Sequence, residues 1–369
     1  MPETQETVLE INLDALGHNY RYLTSKIRPE TKVLAVVKAF GYGSDAVAVA
    51  EELAQLGASY FGVAYTSEGL VLRKGGINTP ILVLHPLPAN FDLVVQSCLE
   101  PSIYSEKMLD GFIAYAEKNN LKEYPIHLKF NTGLNRLGFS ENDVATISEK
   151  IKATNAVTVR SVFSHLAASE DLSEKNYTEG QLEKFRSISE AISQLLGYRP
   201  MRHTLNTSGI INFPESQYEM VRTGIGLYGF GNNVSENANL RPIATLKTVI
   251  SQLHEIQEGE SVGYNRAFKA PRRMRTATLP IGHTDGISRA YGNGTGWVTI
   301  KGKKAALVGN VCMDMIMVDV TDIPCIEGDE VIVFGEKATA EALSRAIGSI
   351  PYELLTAISQ RIKRVICRK

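Results

Sequence analysis

Six side chains that can bind anions or transfer protons follow short apolar runs of this 369-residue sequence. They are Lys38, His85, Lys129, His165, Asn206 and Arg222. The runs have the composition of buried strands, so each polar residue falls at or just beyond a predicted strand end. A lysine in that position loses hydration unless its amine is paired or used covalently. One or two polar residues at strand ends are ordinary, whereas six at equivalent strand ends favour a functional site.

The apolar runs and the helical patterns between them predict a (β/α)8 barrel. The eight predicted strands are Val33–Val37, Tyr60–Ala64, Pro80–Leu84, Pro101–Tyr104, Ile126–Phe130, Thr158–Phe163, His203–Leu205 and Glu219–Val221. Helical patterns between them include Ser44–Gly57, Ser105–Asn119 and Thr178–Leu196. Eight strands in about 200 residues suit a barrel, which carries its active site at the carboxyl ends of the strands. Alternation alone does not show closure, so an open doubly wound sheet remains an alternative.

After a predicted polar linker at Asn232–Asn239 the pattern changes to a small, mainly β domain. Short Thr-, Val- and Ile-rich runs are separated by turn residues, and Ala340–Ile347 predicts a short helix. The runs are Ala244–Gln252, Met274–Leu279, Gly296–Ile300, Ala305–Val308, Met315–Val320 and Glu330–Phe334.

Composition and charge argue against several classes of protein. The chain has 39 Lys and Arg against 40 Asp and Glu, so the basic excess of a nucleic-acid-binding protein is missing. No apolar run approaches the length of about 18 residues that a membrane helix needs. The acidic, polar start is unlike a secretory signal, and four scattered cysteines favour free thiols over a disulfide scaffold or zinc site. We therefore expect a cytoplasmic enzyme without a metal.

The segment around the first strand-end lysine carries a resemblance to a known family. Residues 36–43 read Val-Val-Lys-Ala-Phe-Gly-Tyr-Gly. They resemble the cofactor-lysine motif of alanine racemase, Val-Val-Lys-Ala-Asn-Ala-Tyr-Gly-His-Gly. In that family the lysine forms a Schiff base with pyridoxal phosphate, so the resemblance implies that Lys38 carries this cofactor and that Tyr42 helps to bind it. Phe40 stands where the family has Asn, and Ser44 is a further departure.

Two later segments resemble the parts of the family that hold the cofactor. Arg222 begins Arg-Thr-Gly-Ile-Gly-Leu-Tyr-Gly, which is similar to the family's Arg-x-Gly-Ile-x-Leu-Tyr-Gly. The resemblance implies that Arg222 meets the pyridine nitrogen and that the Gly224 and Ile225 amides bind the phosphate. His-Thr-Leu-Asn-Thr-Ser resembles the phosphate motif His-x-Ala-Asn-Ser, which implies roles for Asn206 and Thr207.

Substrate-binding residues are implied by two further matches. Residues 129–138 resemble the family's Lys-x-Asp-Thr-Gly-Met-x-Arg-Leu-Gly, with Asn131 in place of Asp. In the family this lysine is carbamylated and orients the arginine that receives the substrate carboxylate, which implies these roles for Lys129 and Arg136. His165 matches the histidine that hydrogen-bonds the catalytic tyrosine, and the resemblance also places it among the cofactor-binding residues.

The C-terminal part supplies the remaining family residues. Tyr264 matches the catalytic tyrosine, and Met313 and Tyr352 match residues at the substrate site and its entrance. In this family Tyr264 and Met313 act from the partner subunit, so the resemblance implies a homodimer with shared active sites. His283 and Asn310 replace the usual Tyr and Arg of the access corridor.

The resemblance spans about residues 8–366 and implies a division into two domains. Because the family's first strand, here Val8–Asn12, pairs with the β domain, we expect the barrel over residues 13–235. Residues 1–12 and 236–369 then form the β-rich domain.

The expected activity is interconversion of L-alanine and D-alanine by two bases, Lys38 and Tyr264, supplying D-alanine for cell-wall peptidoglycan. A serine racemase or a broad-specificity racemase of the same fold remains an alternative, although broad-specificity racemases lack the carbamylated lysine. Related decarboxylases place an acidic residue at the pyridine nitrogen, so Arg222 argues against that class. A non-catalytic pyridoxal-phosphate carrier resembles the barrel alone, and residues 240–369 argue against it.

Overall fold

The computed structural model describes residues 6–335 and 340–369. The first domain is a barrel of parallel strands. Its eight strands are β2 Lys32–Val36, β3 Tyr60–Val63, β4 Ile81–Val83, β5 Glu100–Ile103, β6 Tyr124–Lys129, β7 Val157–Phe163, β8 Met201–His203 and β9 Met220–Thr223. Neighbours pair in chain order, and β2 also pairs with β9. At the remaining seam the Arg222 amide donates to the Leu205 carbonyl at 3.0 Å. Each predicted strand overlaps an observed one, which confirms the barrel against the open sheet.

Helices cover the outside of the barrel and bury one apolar face each. They are α1 Leu13–Thr24, α3 Ala46–Gln55, α4 Thr66–Lys74, α5 Phe91–Gln96, α6 Glu106–Lys118, α7 Val144–Lys152, α8 Lys175–Leu196 and α9 Thr207–Asn212. The short segment α2 Lys38–Tyr42 is an exception, because it lies at the barrel mouth and residues inside it have left-handed φ values. In α3 the buried residues Val49 and Leu53 are four apart, and the Asp45 side chain accepts hydrogen bonds from the Val47 and Ala48 amides. Within the described ranges no helix has the length and apolar character to cross a membrane.

The second domain is built on a nine-stranded sheet to which the first strand of the chain belongs. Its strands and helices are β1 Val8–Asn12, β10 Ala244–Val249, β11 Gln252–Ile256, β14 Met274–Leu279, β15 Trp297–Ile300, β16 Lys303–Val308, β17 Ile316–Asp319, β18 Glu330–Phe334, β19 Lys363–Cys367, α11 Ala340–Ala346 and α12 Pro351–Ala357. β1 lies between β10 and β19, antiparallel to the first and parallel to the second. A separate hairpin pairs β12 Ser261–Val262 with β13 Phe268–Lys269.

Two predictions about the β domain need correction. The run Ala244–Gln252 forms part of two strands, because strand pairing is interrupted at residues 250–251 and the two sides pair with different neighbours. The predicted linker Asn232–Asn239 contains the short helix α10 Val234–Asn237, and its Glu236 is fully buried. That carboxylate accepts hydrogen bonds from Ser208 and from the Asn232 amide, so the segment is anchored to the barrel.

Candidate active site

The carboxyl ends of the barrel strands surround a cavity of about 740 Å³. Most of the residues that the sequence motifs single out line this one cavity. They are Lys38, Tyr42, Lys129, Arg136, His165, Asn206, Thr207, Arg222, Gly224, Ile225 and Tyr352. Strands β2, β6, β7, β8 and β9 and the loops after them supply ten of these residues, and α12 supplies Tyr352. Residues up to 314 positions apart in the sequence, Lys38 and Tyr352, therefore share one site.

The cavity is strongly positive. Four cationic side chains, Lys38, Lys129, Arg136 and Arg222, line it, and its described lining contains neither Asp nor Glu. Such a surface favours anionic ligands, since several positive groups in a partly dry space reinforce each other's attraction for negative charge. A molecule that carries phosphate and carboxylate groups fits this charge distribution.

Lys38 lies where the chain leaves β2 and enters an unusual turn. The five residues from Ala39 to Gly43 all have φ between +52° and +80°, so they form a left-handed turn. This backbone conformation is strained for Phe40, and 55% of the surface of Phe40 is exposed to solvent. The Glu68 carboxylate accepts hydrogen bonds from the Ala39 amide at 2.6 Å and the Ala64 amide at 2.7 Å. Glu68 thereby fixes the backbone that follows Lys38.

The surroundings of the Lys38 amine disfavour its charged form. Burial lowers the pKa of Lys38, and the positive charge of Arg136 lowers it further, against a smaller opposing effect of Glu68. A neutral amine is the form that reacts with a carbonyl group or accepts a proton.

Arg222 is buried and held by a set of acceptors. Its Nη1 donates to the His203 Nδ1 at 2.7 Å and the His203 carbonyl at 2.9 Å. Its Nη2 donates to the Ser164 carbonyl at 2.6 Å, the Thr204 carbonyl at 3.0 Å and the His165 Nδ1 at 3.2 Å. Burial lowers the pKa of Arg222, but a guanidinium surrounded by five acceptors stays protonated. It is a fixed, permanent donor at the floor of the cavity.

His165 is kept neutral by its surroundings. Burial, and then the charges of Arg222 and Arg136, lower its pKa well below the usual value. Because Arg222 can only donate, the His165 Nδ1 must accept, and the ring proton lies on Nε2. His165 can therefore offer a hydrogen bond from Nε2 to a group in the cavity.

A tight cradle of hydroxyl and amide groups lies beside these cations. The Thr207 hydroxyl oxygen is 3.4 Å from the Gly224 amide and 3.3 Å from the Gly226 amide. A side chain at Gly224 would place its Cβ 2.5 Å from the Tyr42 hydroxyl oxygen, so any larger residue here would force the tyrosine ring to move. Hydroxyls and backbone amides gathered in this way are suited to a phosphate.

Lys129 and Arg136 are joined by a loop that Asn131 organises. The Asn131 Oδ1 accepts from the Gly133 amide at 3.1 Å and the Asn135 amide at 2.9 Å. Aspartate would accept the same two bonds, which explains why Asn131 can replace the usual residue without loss of the turn. Burial, followed by the charges of Arg136 and Arg222, lowers the pKa of Lys129 to about 8.

Two of the singled-out residues do not line the cavity of their own chain. Tyr264 is 73% exposed and Met313 is 58% exposed, both on the β domain. The Tyr264 carbonyl accepts a hydrogen bond from the Asn310 side chain at 3.2 Å. Thr284 donates to the Met313 carbonyl through its amide and its hydroxyl, so His283 and its neighbours support this turn.

The cavity also includes residues that belong to none of the family motifs. His85 stacks on Tyr104 with ring centroids 5.4 Å apart, and Tyr65 packs edge-on against it. Asn232 accepts from the Tyr352 hydroxyl at 3.5 Å. His85 had the signal of a strand-end histidine, whereas Asn232 had none because its segment reads as a polar linker.

A barrel whose mouth combines a lysine of lowered pKa, a cationic lining and a phosphate cradle defines a class of enzyme. It is the class that holds a phosphate-bearing carbonyl cofactor on a lysine.

Comparison with known proteins identifies the family. The family model for the alanine racemase N-terminal domain matches residues 11–231, and that for the C-terminal domain matches residues 243–366. The alanine racemase of Halothermothrix orenii is 33% identical over 369 residues, covering 98% of this chain and 97% of the relative.

Solved structures of alanine racemases are also similar to this chain. The alanine racemase of Clostridium difficile superposes with a TM-score of 0.93 at 32% identity, covering 99% of this chain and 97% of that one. The enzyme from Bartonella henselae, with covalently bound pyridoxal phosphate, has a TM-score of 0.88 at 29% identity and covers 98% and 99%. The chain belongs to the alanine racemase family, and is a pyridoxal-phosphate-dependent isomerase that acts on amino acids.

Proposed function

We propose that the chain interconverts L-alanine and D-alanine with two bases, Lys38 on one face of the substrate and Tyr264 of the partner subunit on the other. The observation that carries this is the Lys38 amine, whose pKa is lowered and which shares a cavity with Arg222 and Arg136. Racemisation needs a proton removed from one face of Cα and a proton returned to the other. Lys38 would take the proton of the D-enantiomer and Tyr264 that of the L-enantiomer.

The described residues fit the cofactor that the family uses. Lys38 would hold pyridoxal phosphate covalently, and Arg222 would face its pyridine nitrogen. The phosphate would be bound by the cradle of amide and hydroxyl groups at Thr207, Gly224 and Ile225. Three polar neighbours, Tyr42, Asn206 and Tyr352, would complete this part of the site. The bound cofactor acidifies the Cα–H bond of an amino acid by accepting electron density into its ring.

The protein's own residues would limit that chemistry to racemisation. Arg222 donates and does not release its proton, so it would leave the pyridine nitrogen unprotonated and weaken the electron sink. Arg136 would bind the substrate carboxylate, oriented by carbamylated Lys129. A lowered pKa supports this modification, because carbamylation requires the neutral amine. His165 would donate from Nε2 to the catalytic tyrosine.

We infer that the barrel domain comprises residues 13–235 and that residues 1–12 and 236–369 form the β-rich domain. We also infer a homodimer with shared active sites. The support is the exposure of Tyr264 and Met313, which lie outside the cavity of their own chain. A two-fold pair would bring each β domain to the partner's barrel mouth and form two equivalent sites.

Subunit exchange tests the shared site. Lys38→Ala and Tyr264→Phe homodimers each have two defective sites, whereas a mixed dimer has one site with both native residues. Random exchange makes half of the dimers mixed, so about a quarter of all sites should recover. Exchange is followed independently with subunits carrying different affinity tags. Full exchange without recovered activity would contradict the shared site.

The activity itself is tested by D-alanine formation from L-alanine with purified protein and added pyridoxal phosphate. L-serine is assayed beside it, because His283 and Asn310 alter the predicted access corridor. We expect alanine to be the better substrate; equal or faster serine turnover would favour the alternative. We further propose that the enzyme works in the cytoplasm and supplies D-alanine for peptidoglycan.

A further inference from the structure

Five polar side chains cross the interior of the barrel, one from each of the consecutive strands β5 to β9. They are Glu100, His127, Ser161, His203 and Arg222, and all are buried. Barrel interiors are normally filled by branched apolar side chains, and burying polar groups is unfavourable unless each finds a partner. We name this set the interior relay.

The members of the interior relay are joined by four short contacts. The Arg222 Nη1 lies 2.7 Å from the His203 Nδ1, and the His203 Nε2 lies 2.8 Å from the Ser161 Oγ. The same Oγ lies 2.6 Å from the His127 Nδ1, and the His127 Nε2 lies 2.7 Å from the Glu100 carboxylate. Every contact has hydrogen-bond length.

The chemistry of the two ends fixes the direction of every hydrogen bond. Arg222 can only donate, so the His203 Nδ1 accepts and its proton lies on Nε2. That Nε2 donates to Ser161, whose hydroxyl then donates to the His127 Nδ1. The His127 Nε2 carries its proton toward Glu100, which as a carboxylate only accepts. All donors therefore point from Arg222 to Glu100.

The electrostatic setting agrees with this direction. Burial and the Arg222 charge lower the pKa of His203 well below its usual value, which keeps the ring neutral. Among the ion pairs of residues 6–335 and 340–369, none involves Arg222. The nearest compensation for its buried charge along hydrogen bonds is the carboxylate at the far end of the interior relay.

We propose that Glu100 is the remote counter-charge of Arg222. His127, Ser161 and His203 are positioning residues whose aligned hydrogen bonds transmit the effect of this carboxylate to Arg222. Chains of aligned hydrogen bonds polarise one another, so the carboxylate would moderate how strongly Arg222 donates. The consequence for catalysis rests on the proposed role of Arg222 at the pyridine nitrogen. With the counter-charge removed, Arg222 would become a stronger donor to the pyridine nitrogen. The bound cofactor would then be a stronger electron acceptor, and transamination would compete better with racemisation.

The test compares two relay variants with matched controls in the holoenzyme. Glu100→Gln keeps a side-chain oxygen for His127 but removes the charge, and Ser161→Ala interrupts the interior relay. Ser189→Ala removes a buried hydroxyl that bonds only a helix carbonyl, and Glu219→Gln neutralises a carboxylate paired with Arg202. The readouts are histidine side-chain 15N resonances, which report tautomer and hydrogen bonding without any turnover, and the ratio of transamination to racemisation.

We expect His127 and His203 to be neutral with the proton on Nε2 and Glu100→Gln to shift both sets of resonances. In the Ser161→Ala background, Glu100→Gln should no longer move His203. The transamination ratio should rise on the order of threefold in Glu100→Gln, within the range of coupling in a shared hydrogen-bond network. The two controls should change neither readout.

Three results would overturn the proposal. They are a His203 proton on Nδ1, a His203 resonance unmoved by Glu100→Gln, or a shift that persists across the Ser161→Ala interruption. Should Glu100→Gln not fold, the His203 tautomer of the native enzyme and its response to Ser161→Ala still decide. The resonances report the interior relay even if no racemisation is found, so the two proposals fail separately.

Discussion

The barrel mouth and the exposed face of the β domain hold their candidate functional residues in opposite ways. Arg222 is buried and donates to five acceptors, and Lys38 follows a turn fixed by Glu68. Tyr264 has 73% of its surface exposed, and its turn is secured to the rest of the domain by Asn310.

The difference indicates how the work is divided. The barrel supplies a preorganised charge distribution within one chain, as electrostatic stabilisation requires. The β-domain face is exposed in the single chain, and in the proposed homodimer it would become part of a site when the partner subunit covers it. Changes in the barrel should therefore affect cofactor binding and catalysis together, whereas changes on the β-domain face should affect catalysis alone.

Lys38→Ala should have the largest effect. We expect racemisation to fall at least about 10⁴-fold in both directions, since the variant loses both the cofactor attachment and one base. D-alanine and L-alanine formation are measured separately, and borohydride reduction with peptide mapping locates the pyridoxyl group. Lys32→Ala, at the exposed start of the same strand, is the control. A pyridoxyl group on another lysine of the native enzyme would refute the assignment.

Tyr264→Phe should separate the two regions most clearly. We expect kcat to fall about 10³-fold, the range that a general base contributes, while cofactor occupancy stays at the native level. Absorbance of the bound cofactor and the rate of alanine turnover give the two quantities. Tyr115→Phe, on the outer helix α6, should leave both unchanged. Loss of cofactor in Tyr264→Phe would place this residue functionally with the barrel and break the distinction.

Lys129→Ala should have an intermediate effect on the barrel side. Without its carbamate, Arg136 loses orientation, and we expect kcat/KM to fall about 10²-fold with partial rescue by acetate. A carbamate signal should appear in 13C spectra of the native enzyme with labelled bicarbonate and be missing in Lys129→Ala. Because the pKa of the Lys129 amine is about 8, the neutral fraction available for carbamylation falls as the pH drops below that value. Lys152→Ala is the surface control, and a bare Lys129 amine in the native enzyme would rule out this role.

Asn310→Ala should have the smallest effect, confined to the β-domain face. Removing one hydrogen bond to the Tyr264 turn corresponds to ~1 kcal/mol, or about a fivefold loss of kcat with little change in KM. Steady-state kinetics and cofactor absorbance are compared with those of Asn119→Ala, a surface variant. A change in KM alone would instead assign Asn310 to the access corridor.

Much of the architecture could be predicted because its signals are local. Apolar runs of strand length alternate with helical patterns, and each of the eight predicted strands overlaps an observed one. The strand-end residues Lys38, Lys129 and Arg222 follow from the same patterns, since parallel strands bring their carboxyl ends to one rim. The helix in the predicted linker was missed because six of the eight residues in Asn232–Asn239 are polar, and such a segment reads as a loop.

What the sequence determined by itself was the order of elements and the type of residue at each strand end, because both depend on neighbours in the chain. Closure of the barrel decided the rest. The contacts from Glu100 to Arg222 join residues separated by 27, 34, 42 and 19 positions, so no local pattern could reveal them. The lowered pKa values of Lys38 and Lys129 likewise arise from burial among cations that only the closed barrel brings together.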